Sequence, residues 1–395
     1  MQTVDAAGLS IGDDAPPRIM GVLNISSESP YKPSVFDDPG EAAAYVDSEL
    51  IDQGADIVDI GLESANKRFD VLTAEQELDR LETAIETIGS VSGDAVFSIE
   101  TRYHEVVEAA LDGGFDMVND ICGFADSKLP AICADYDVAV AKRASPPNLE
   151  RPGAVEETPW AERRSAEWAE QADYVDQVYE ALKQNGLTDK TIVDPAFGGW
   201  SEAKTIDDDR ETFRRLREFR GLGQPILVSI NRKNFLRSVA DRSTEAALPV
   251  SLAATAMAVE RGAHVIRTHD VAETRDAALI GETFTRDRVR DGAIGVEELD
   301  ITTVAEADRH CERVGVTTET AMQSVTRVFE LAGLSPTQRD RLATQALAHG
   351  AVFASGGADS DLLIGTPAAL RAFDSTLDDG DSLATALGAI VDRVE

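Results

Sequence analysis

Along the first two-thirds of the chain, short β-branched runs alternate with longer amphipathic stretches, at the period-two and 3.6-residue spacings that separate strands from helices. Apolar runs at residues 19–25, 57–60, 95–99, 117–121, 138–141, 192–193, 226–230 and 265–266 predict eight strands. Helical spacing predicts helices over 41–53, 74–88, 104–111, 160–184, 210–219, 244–261 and 273–284, and the remaining link, 125–134, has room for one or two turns. Thr73 and Gln76 stand in capping-box spacing, and Asp37, Asp38 and Pro39 are a start signal for the first helix. Eight strand–helix units in about 270 residues is the count of a parallel (β/α)8 barrel.

An open doubly wound sheet uses the same alternation. The polar residues separate the two. Asn24, Glu63, Glu100, Asn119, Asp194, Lys233, Arg267 and His269 each follow a predicted strand at its C-terminal end. In a barrel those ends converge on one mouth, whereas in an open sheet they are strung along an edge. The expected fold is therefore α/β, a (β/α)8 TIM barrel over residues 18–284, preceded by an N-terminal extension, 1–17. Beyond Phe284 the alternation stops. Helical spacing recurs at 318–332, 336–349 and 383–394, with a Gly/Ser/Asp stretch at 354–361. Residues 285–395 read as a mainly helical C-terminal domain of unknown function, without a catalytic motif.

Charge narrows the partners. The 395 residues carry 72 acidic against 37 basic side chains, a net charge of −35, which repels phosphate backbones and anionic lipid alike. Nucleic acid and membrane surfaces are not expected partners. Only 8 of the basic residues are lysines, none beyond Lys233, and an acidic, lysine-poor surface suits a protein that stays hydrated at very high salt; a halophile is the expected source. Cys122, Cys133 and Cys311 form no C-x-x-C pair and no even framework, which argues for small buried thiols in a reducing compartment. The N-terminus lacks a basic n-region, and the longest apolar window, 246–259, is broken by Pro249 and falls short of the ~20 residues a span needs. A cytoplasmic protein is expected.

At the predicted strand ends the chain reads G-V-L-N-I-S-S-E-S (21–29), D-I-G-L-E-S (59–64), F-S-I-E-T-R (97–102), V-N-D-I-C-G (118–123), D-P-A-F-G (194–198), L-V-S-I-N-R-K (227–233) and I-R-T-H-D-V (266–271). Taken singly, each has a plainer role. Asp194 before Pro195 suits a turn, Arg232 with Lys233 a solvated helix start, His269 a ring satisfied by Asp270, and Glu63 a buried carboxylate bonding the barrel. In this order and spacing, however, the series resembles the dihydropteroate synthases, pterin-binding barrel enzymes of folate synthesis, over residues 18–284. The resemblance implies condensation of 6-hydroxymethyl-7,8-dihydropterin diphosphate with p-aminobenzoate or a related arylamine, releasing pyrophosphate with Mg²⁺ assistance. It implies that Glu100, Asn119, Asp194 and Lys233 hold the pterin ring, and that Asn24, Arg267 and His269 hold the diphosphate, Asn24 with the metal. It also implies a homodimer.

The chemistry of these side chains fits those roles. A pterin edge sets N–H donors beside a carbonyl, and a buried carboxylate such as Asp194 accepts two donors at once, each charge-assisted bond giving ~1.5–3 kcal/mol. Lys233 donates to the ring carbonyl and N5, while Asn119 offers both a donor and an acceptor. Breaking the C–O bond to a diphosphate leaves negative charge on the departing oxygen, so positioning and electrostatic stabilisation dominate, and Asn24, Arg267 and His269 with Mg²⁺ would supply them. The aromatic amine is already a neutral nucleophile and needs no general base.

The chain also departs from the family pattern. After strand two the usual E-S-T-R-P-G is Glu63, Ser64, Ala65, Asn66, Lys67, Arg68, which removes the Thr and Arg that reach the aminobenzoate and phosphate side; a lysine does not replace a planar guanidinium fork. Glu100 stands where aspartate is usual, and Asn231, Arg232 and Lys233 replace Ser-Arg-Lys. Ala141 and Lys142 replace Met-His, and Pro30, Tyr31 and Lys32 give an archaeal-looking first loop. Two further readings are a pterin-dependent methyltransferase acting on a corrinoid protein, which has no use for a diphosphate clamp, and a noncatalytic pterin-binding subunit.

Overall fold

A computed structural model describes the chain except residues 27, 30, 65–70, 199–200, 202, 292–294, 357–359 and 375–395. It divides into two units, one of Met1–Phe219 with Gly223–Arg286, the other of Arg220–Leu222 with Asp287–Glu395.

The first unit opens with an antiparallel hairpin, β1 (Val4–Ala6) and β2 (Leu9–Ile11). The eight expected strands follow: β3 (Arg18–Asn24), β4 (Ile57–Gly61), β5 (Val96–Thr101), β6 (Met117–Asp120), β7 (Ala139–Arg143), β8 (Thr191–Asp194), β9 (Leu227–Val228) and β10 (Val265–Thr268). All are parallel, in the order β8-β7-β6-β5-β4-β3-β10-β9. A parallel bridge from Val193 to Ile226, with the Val193 N–H donating to the Pro225 carbonyl at 2.8 Å, joins the two edges and closes the barrel.

Alternation along the strands sets the interior. Met20, Ile57, Val96, Met117, Ala139, Ile192, Leu227 and Val265, one from each barrel strand, pack together with Ala141 as one buried layer. Val4, Ala6 and Ile11 belong to the same cluster. The N-terminal extension is therefore no separate appendage. It lies against the strand-start end of the barrel and completes its core, because an interior of small and branched residues needs a lid where it meets water. Ile11, fully buried, is expected to cost about 2–4 kcal/mol of stability as Ile11→Ala without touching the opposite mouth. Urea unfolding measures this; a midpoint equal to the parent's would mean the hairpin is dispensable.

Helices flank the strands near where their periodicity places them, with several differences: the helix expected over 210–219 is an α-helix over Ile206–Arg214 followed by a 3-10 turn, Leu216–Leu222, and the helix Asn234–Ala240 was not expected. The single helix expected over 160–184 is three: Trp160–Arg163, Ala166–Gln171 and Tyr174–Lys183. Ser165 and Asp173 break it, because each side chain accepts from a backbone N–H three residues on and starts a new helix. The helix expected over 41–53 runs from Pro39 to Tyr45 and continues as a π-helical turn, Val46–Ile51. Among the described residues no helix is long and apolar enough to cross a membrane. Cys122 and Cys133 are buried, Cys311 partly so, and all three are free.

In the second unit, β11 (Arg290–Asp291) pairs with β12 (Val296–Glu297), and β13 (Arg327–Ala332), β14 (Val352–Ser355) and β15 (Ser360–Gly365) form an antiparallel sheet in the order β13-β15-β14. The helix Pro336–Ala348 matches its expectation, but the helix expected over 318–332 ends at Ala321 and its second half is β13. In R-V-F-E-L-A the partly buried and exposed positions alternate, a period-two signal inside a segment too short to exclude helix. The Gly/Ser/Asp stretch, 354–361, contributes the end of β14 and the start of β15, and the helix expected over 383–394 lies outside the described residues. Leu342, Ala346, Leu363 and Leu370 form the unit's own core.

Candidate active site

Two residues beyond the apolar layer, on the same inward parity, the barrel strands turn polar: Asp59 on β4, Ser98 on β5, Asn119 on β6, Arg143 on β7, Asp194 on β8 and Arg267 on β10. A side chain two residues further along a strand points to the same face one step nearer the mouth. The alternation that builds the core thus also gathers these groups.

They form two linked sets. In the first, Asp59, with no exposed surface, accepts from Ser98 Oγ at 2.8 Å, Asn119 Nδ2 at 2.9 Å and Arg267 Nε at 2.7 Å. Arg267 Nη2 donates to Glu100 Oε2 at 2.8 Å, and Asn119 Nδ2 lies 3.4 Å from the same oxygen. The guanidinium is stabilised in its charged form: burial opposes the charge, but Glu100 and Asp59 outweigh it. Gly61 makes room beside them, since a Cβ there would meet Asn24 Oδ1 at 3.3 Å and Glu100 Oε1 at 3.6 Å. Among the described residues Asn119 Oδ1 is buried with no hydrogen-bond partner. An acceptor in that state costs roughly 1–3 kcal/mol unless a ligand supplies a donor.

In the second set, Arg143 Nε donates to Asp194 Oδ2 at 3.0 Å, both groups nearly wholly buried, and Asp194 Oδ1 accepts from the Ala196 N–H at 2.8 Å. Lys233 stands at the N-cap position of the helix Asn234–Ala240 without a side-chain capping bond. Burial pushes its ammonium down to about 8, assisted by Arg143 and Arg267 and opposed by Asp209 and Asp194.

At the rim, Asn24 Nδ2 donates to Ser34 Oγ at 2.9 Å, and Ser29 Oγ donates to Asn24 Oδ1 at 3.4 Å. Ser34 Oγ also lies 3.3 Å from His269 Nδ1, and the Tyr31 ring packs on the imidazole with centroids 4.3 Å apart. The expectation that Asp270 satisfies His269 is corrected, because Arg232 holds Asp270 in a bidentate pair with Nε and Nη2 each at 2.8 Å. Burial, then Arg267, pushes His269 down to about 3, so the ring is neutral throughout the physiological range.

All seven expected site residues therefore stand at one end of one barrel. Asp59 and Arg143 were not singled out by sequence reasoning. Strand parity could have found both: Asp59 is in step with Ile57, and Arg143 with Ala139 and Ala141. Lys142, of opposite parity, points out and donates to the carbonyls of Leu182, Gln184 and Gly186 at the end of the helix Tyr174–Lys183. Glu63 behaves as the barrel-bonding carboxylate its motif suggests, with Oε2 2.8 Å from Arg102 Nη2 and both groups buried. Lys67 and Arg68, the replacements for the missing Thr and Arg, lie outside the described residues.

Known proteins resemble this chain in sequence and fold. A probable bifunctional folylpolyglutamate synthase/dihydropteroate synthase of Halobacterium salinarum is 31% identical over 264 residues, 67% of this chain and 31% of that protein, so the chain spans about a third of that relative's length. The dihydropteroate synthase of Clostridium beijerinckii is 28% identical over 274 residues, covering 68% of this chain and 94% of its own. Among solved structures, the Coxiella burnetii dihydropteroate synthase in complex with pteroic acid is 28% identical with a TM-score of 0.56, covering 71% of this chain and 98% of that one. The Xanthomonas albilineans dihydropteroate synthase with 4-aminobenzoic acid is 26% identical with a TM-score of 0.56, covering 72% and 98%. The family model described as "Pterin binding enzyme" matches residues 20–269, more than half of the chain and every strand of the barrel from β3 to β10. By fold, by the residues its strand ends bring together and by this match, the chain belongs to the pterin-binding enzyme family.

Proposed function

We propose that the barrel is a dihydropteroate synthase, joining 6-hydroxymethyl-7,8-dihydropterin diphosphate to p-aminobenzoate or a related arylamine with release of pyrophosphate. The observation that carries this reading is the Asn119 carbonyl oxygen, buried and, among the described residues, without a partner, while the amide nitrogen of the same side chain is held by Asp59 and Glu100. A flat heterocycle with N–H donors on its edge satisfies it. Asp194 accepts from that edge, and Lys233 donates to the ring carbonyl. Asp59 and Glu100 hold Arg267 in one orientation, so it enters the reaction pre-positioned instead of ordering itself around charge as the charge develops. The amine nitrogen forms a bond to the exocyclic methylene, the C–O bond to the diphosphate breaks with its electron pair leaving on oxygen, and the amine proton passes to solvent.

Asn24 suits magnesium only in part. Its Oδ1 is a hard amide oxygen, and a site with one such protein ligand holds Mg²⁺ when the diphosphate and water complete the shell. Bound there, the ion would neutralise charge on the leaving group. Asn24 would orient the diphosphate from one side, and His269, neutral and braced by Tyr31, would donate one hydrogen bond from the other. Under this reading the protein works in the cytoplasm as a homodimer, and its charge belongs to a halophile.

The test is pyrophosphate release from dihydropterin diphosphate with and without p-aminobenzoate across a KCl series. Release only when the amine is present is expected. Since the Debye length falls to about 3 Å at ~1 M salt, repulsion between the −35 chain and the anionic substrate fades and KM for the diphosphate is expected to fall as KCl rises. Binding without turnover would instead mark a noncatalytic pterin-binding subunit, and methyl transfer to a corrinoid would mark the methyltransferase. A KM that climbs with KCl would remove the halophile reading.

A further inference from the structure

β7 departs from the family motif at Ala141 and Lys142, yet the residue that its parity delivers to the mouth is the next one. Ala139 and Ala141 are interior residues on the same parity, and Arg143, the next inward position, is itself buried. Arg143 and Asp194 are lateral neighbours in the β7–β8 register, which brings Nε to Oδ2 without a detour of either chain. The backbone beneath is also set: Gly123, at φ +63°, passes so close that a Cβ would lie 2.7 Å from the Arg143 carbonyl oxygen.

We propose that Arg143 is a positioning residue of this site, which fixes the Asp194 carboxylate in the orientation that reads the heterocycle's N–H edge and holds a positive charge against Lys233. The proposal rests on the dihydropteroate synthase reading for the ligand, but not for the pair itself. Two consequences follow from charge. The Asp194 oxygens, already accepting from Arg143 Nε and the Ala196 N–H, offer their remaining lone pairs to the ring edge. Burial first, then the charges of Arg143 on β7 and Arg267 on β10, favour the neutral form of Lys233, opposed by Asp209 on the helix Ile206–Arg214 and Asp194 on β8, with His269 also within reach of its charge. Lys233 is thus protonated below about pH 8 and loses its proton, and with it a donor to the ring, as pH rises through that value.

The experiment compares the full chain with Arg143→Met and Arg143→Lys. Reductively ¹³C-methylated protein gives the Lys233 titration by NMR, assigned with Lys233→Arg, and calorimetry gives the affinity for dihydropterin diphosphate against pH. Arg143→Met is expected to raise the Lys233 midpoint by about one pH unit and to carry the alkaline loss of binding upward with it. Affinity at pH 7 should fall at least about tenfold, the equivalent of about 1.4 kcal/mol. Arg143→Lys keeps the charge but not the fork, so the midpoint should stay near the parent's while affinity still falls. A purely structural arginine would lower stability in both variants and move neither the midpoint nor the alkaline limb. Parent-like affinity and an unmoved midpoint in Arg143→Met would overturn the proposal and leave the synthase reading intact. If the parent binds no dihydropterin diphosphate while the midpoint still moves, the synthase reading fails and the action of Arg143 on Lys233 stands. Should Arg143→Met not fold, parent-like affinity of Arg143→Lys at every pH would be the overturning result.

Discussion

Asp194→Asn is expected to weaken binding of a pterin by at least about 100-fold. Two charge-assisted hydrogen bonds from the ring edge at ~1.5–3 kcal/mol each make about 3–6 kcal/mol, and 1.4 kcal/mol is tenfold in affinity. Asparagine keeps one oxygen as an acceptor, so the lower end of that range applies. Its NH₂ also presents donors where the ring and Arg143 both offer donors, and Arg143 loses its carboxylate at 3.0 Å. Calorimetry with pteroic acid measures the change. Affinity within threefold of the parent would mean that the ring's edge is read elsewhere.

The largest effect on stability is expected from Asp59→Ala. Asp59 is wholly buried and is the common acceptor for Ser98, Asn119 and Arg267. Its loss strands three donors, one of them a guanidinium, and removing one partner of a buried charged pair costs about 3–5 kcal/mol. Glu100 still holds Arg267 Nη2, so the guanidinium is not abandoned and the barrel should fold. Its aim is lost, however, and turnover should fall with it. Chemical denaturation gives the first quantity and pyrophosphate release the second. A variant as stable as the parent would show that water replaces the carboxylate at no cost, and full activity would show that Arg267 needs only one acid to be placed.

Much of the fold is legible in the chain. Eight apolar runs, spaced by amphipathic segments, become β3 to β10 within a residue or two at most ends, since an interior strand of a closed barrel is buried on both faces and reads as a continuous apolar run. The misreadings have local causes. Ser165 and Asp173 interrupt a helical periodicity that by itself runs from 160 to 184, and a cap outweighs a pattern when its side chain satisfies a helix's first N–H groups. β13 was hidden because six alternating residues follow a helix with no turn signal between them. The extension 1–17 has too few residues to announce that it completes a core.

The site was legible as a set of strand-end residues and not as a set of contacts. That Asn24, Glu100, Asn119, Asp194, Lys233, Arg267 and His269 share one end follows from their place in the alternation. So, in retrospect, does the inward aim of Asp59 and Arg143. Alternation is a local property, carried by the two-residue repeat of an extended chain, and each strand states its own. Which inward group meets which is not local. Arg267 meets Asp59 across 208 residues because β10 pairs with β3 and β3 with β4, and that stagger exists only once the sheet has closed. The amino-acid order alone thus determined a parallel barrel and the faces its polar residues occupy. Only closure of the barrel decided that Arg267 is held by two acids, that Arg143 rests on Asp194, and that His269 turns to Ser34 instead of Asp270, because those choices depend on distances between segments remote in the chain.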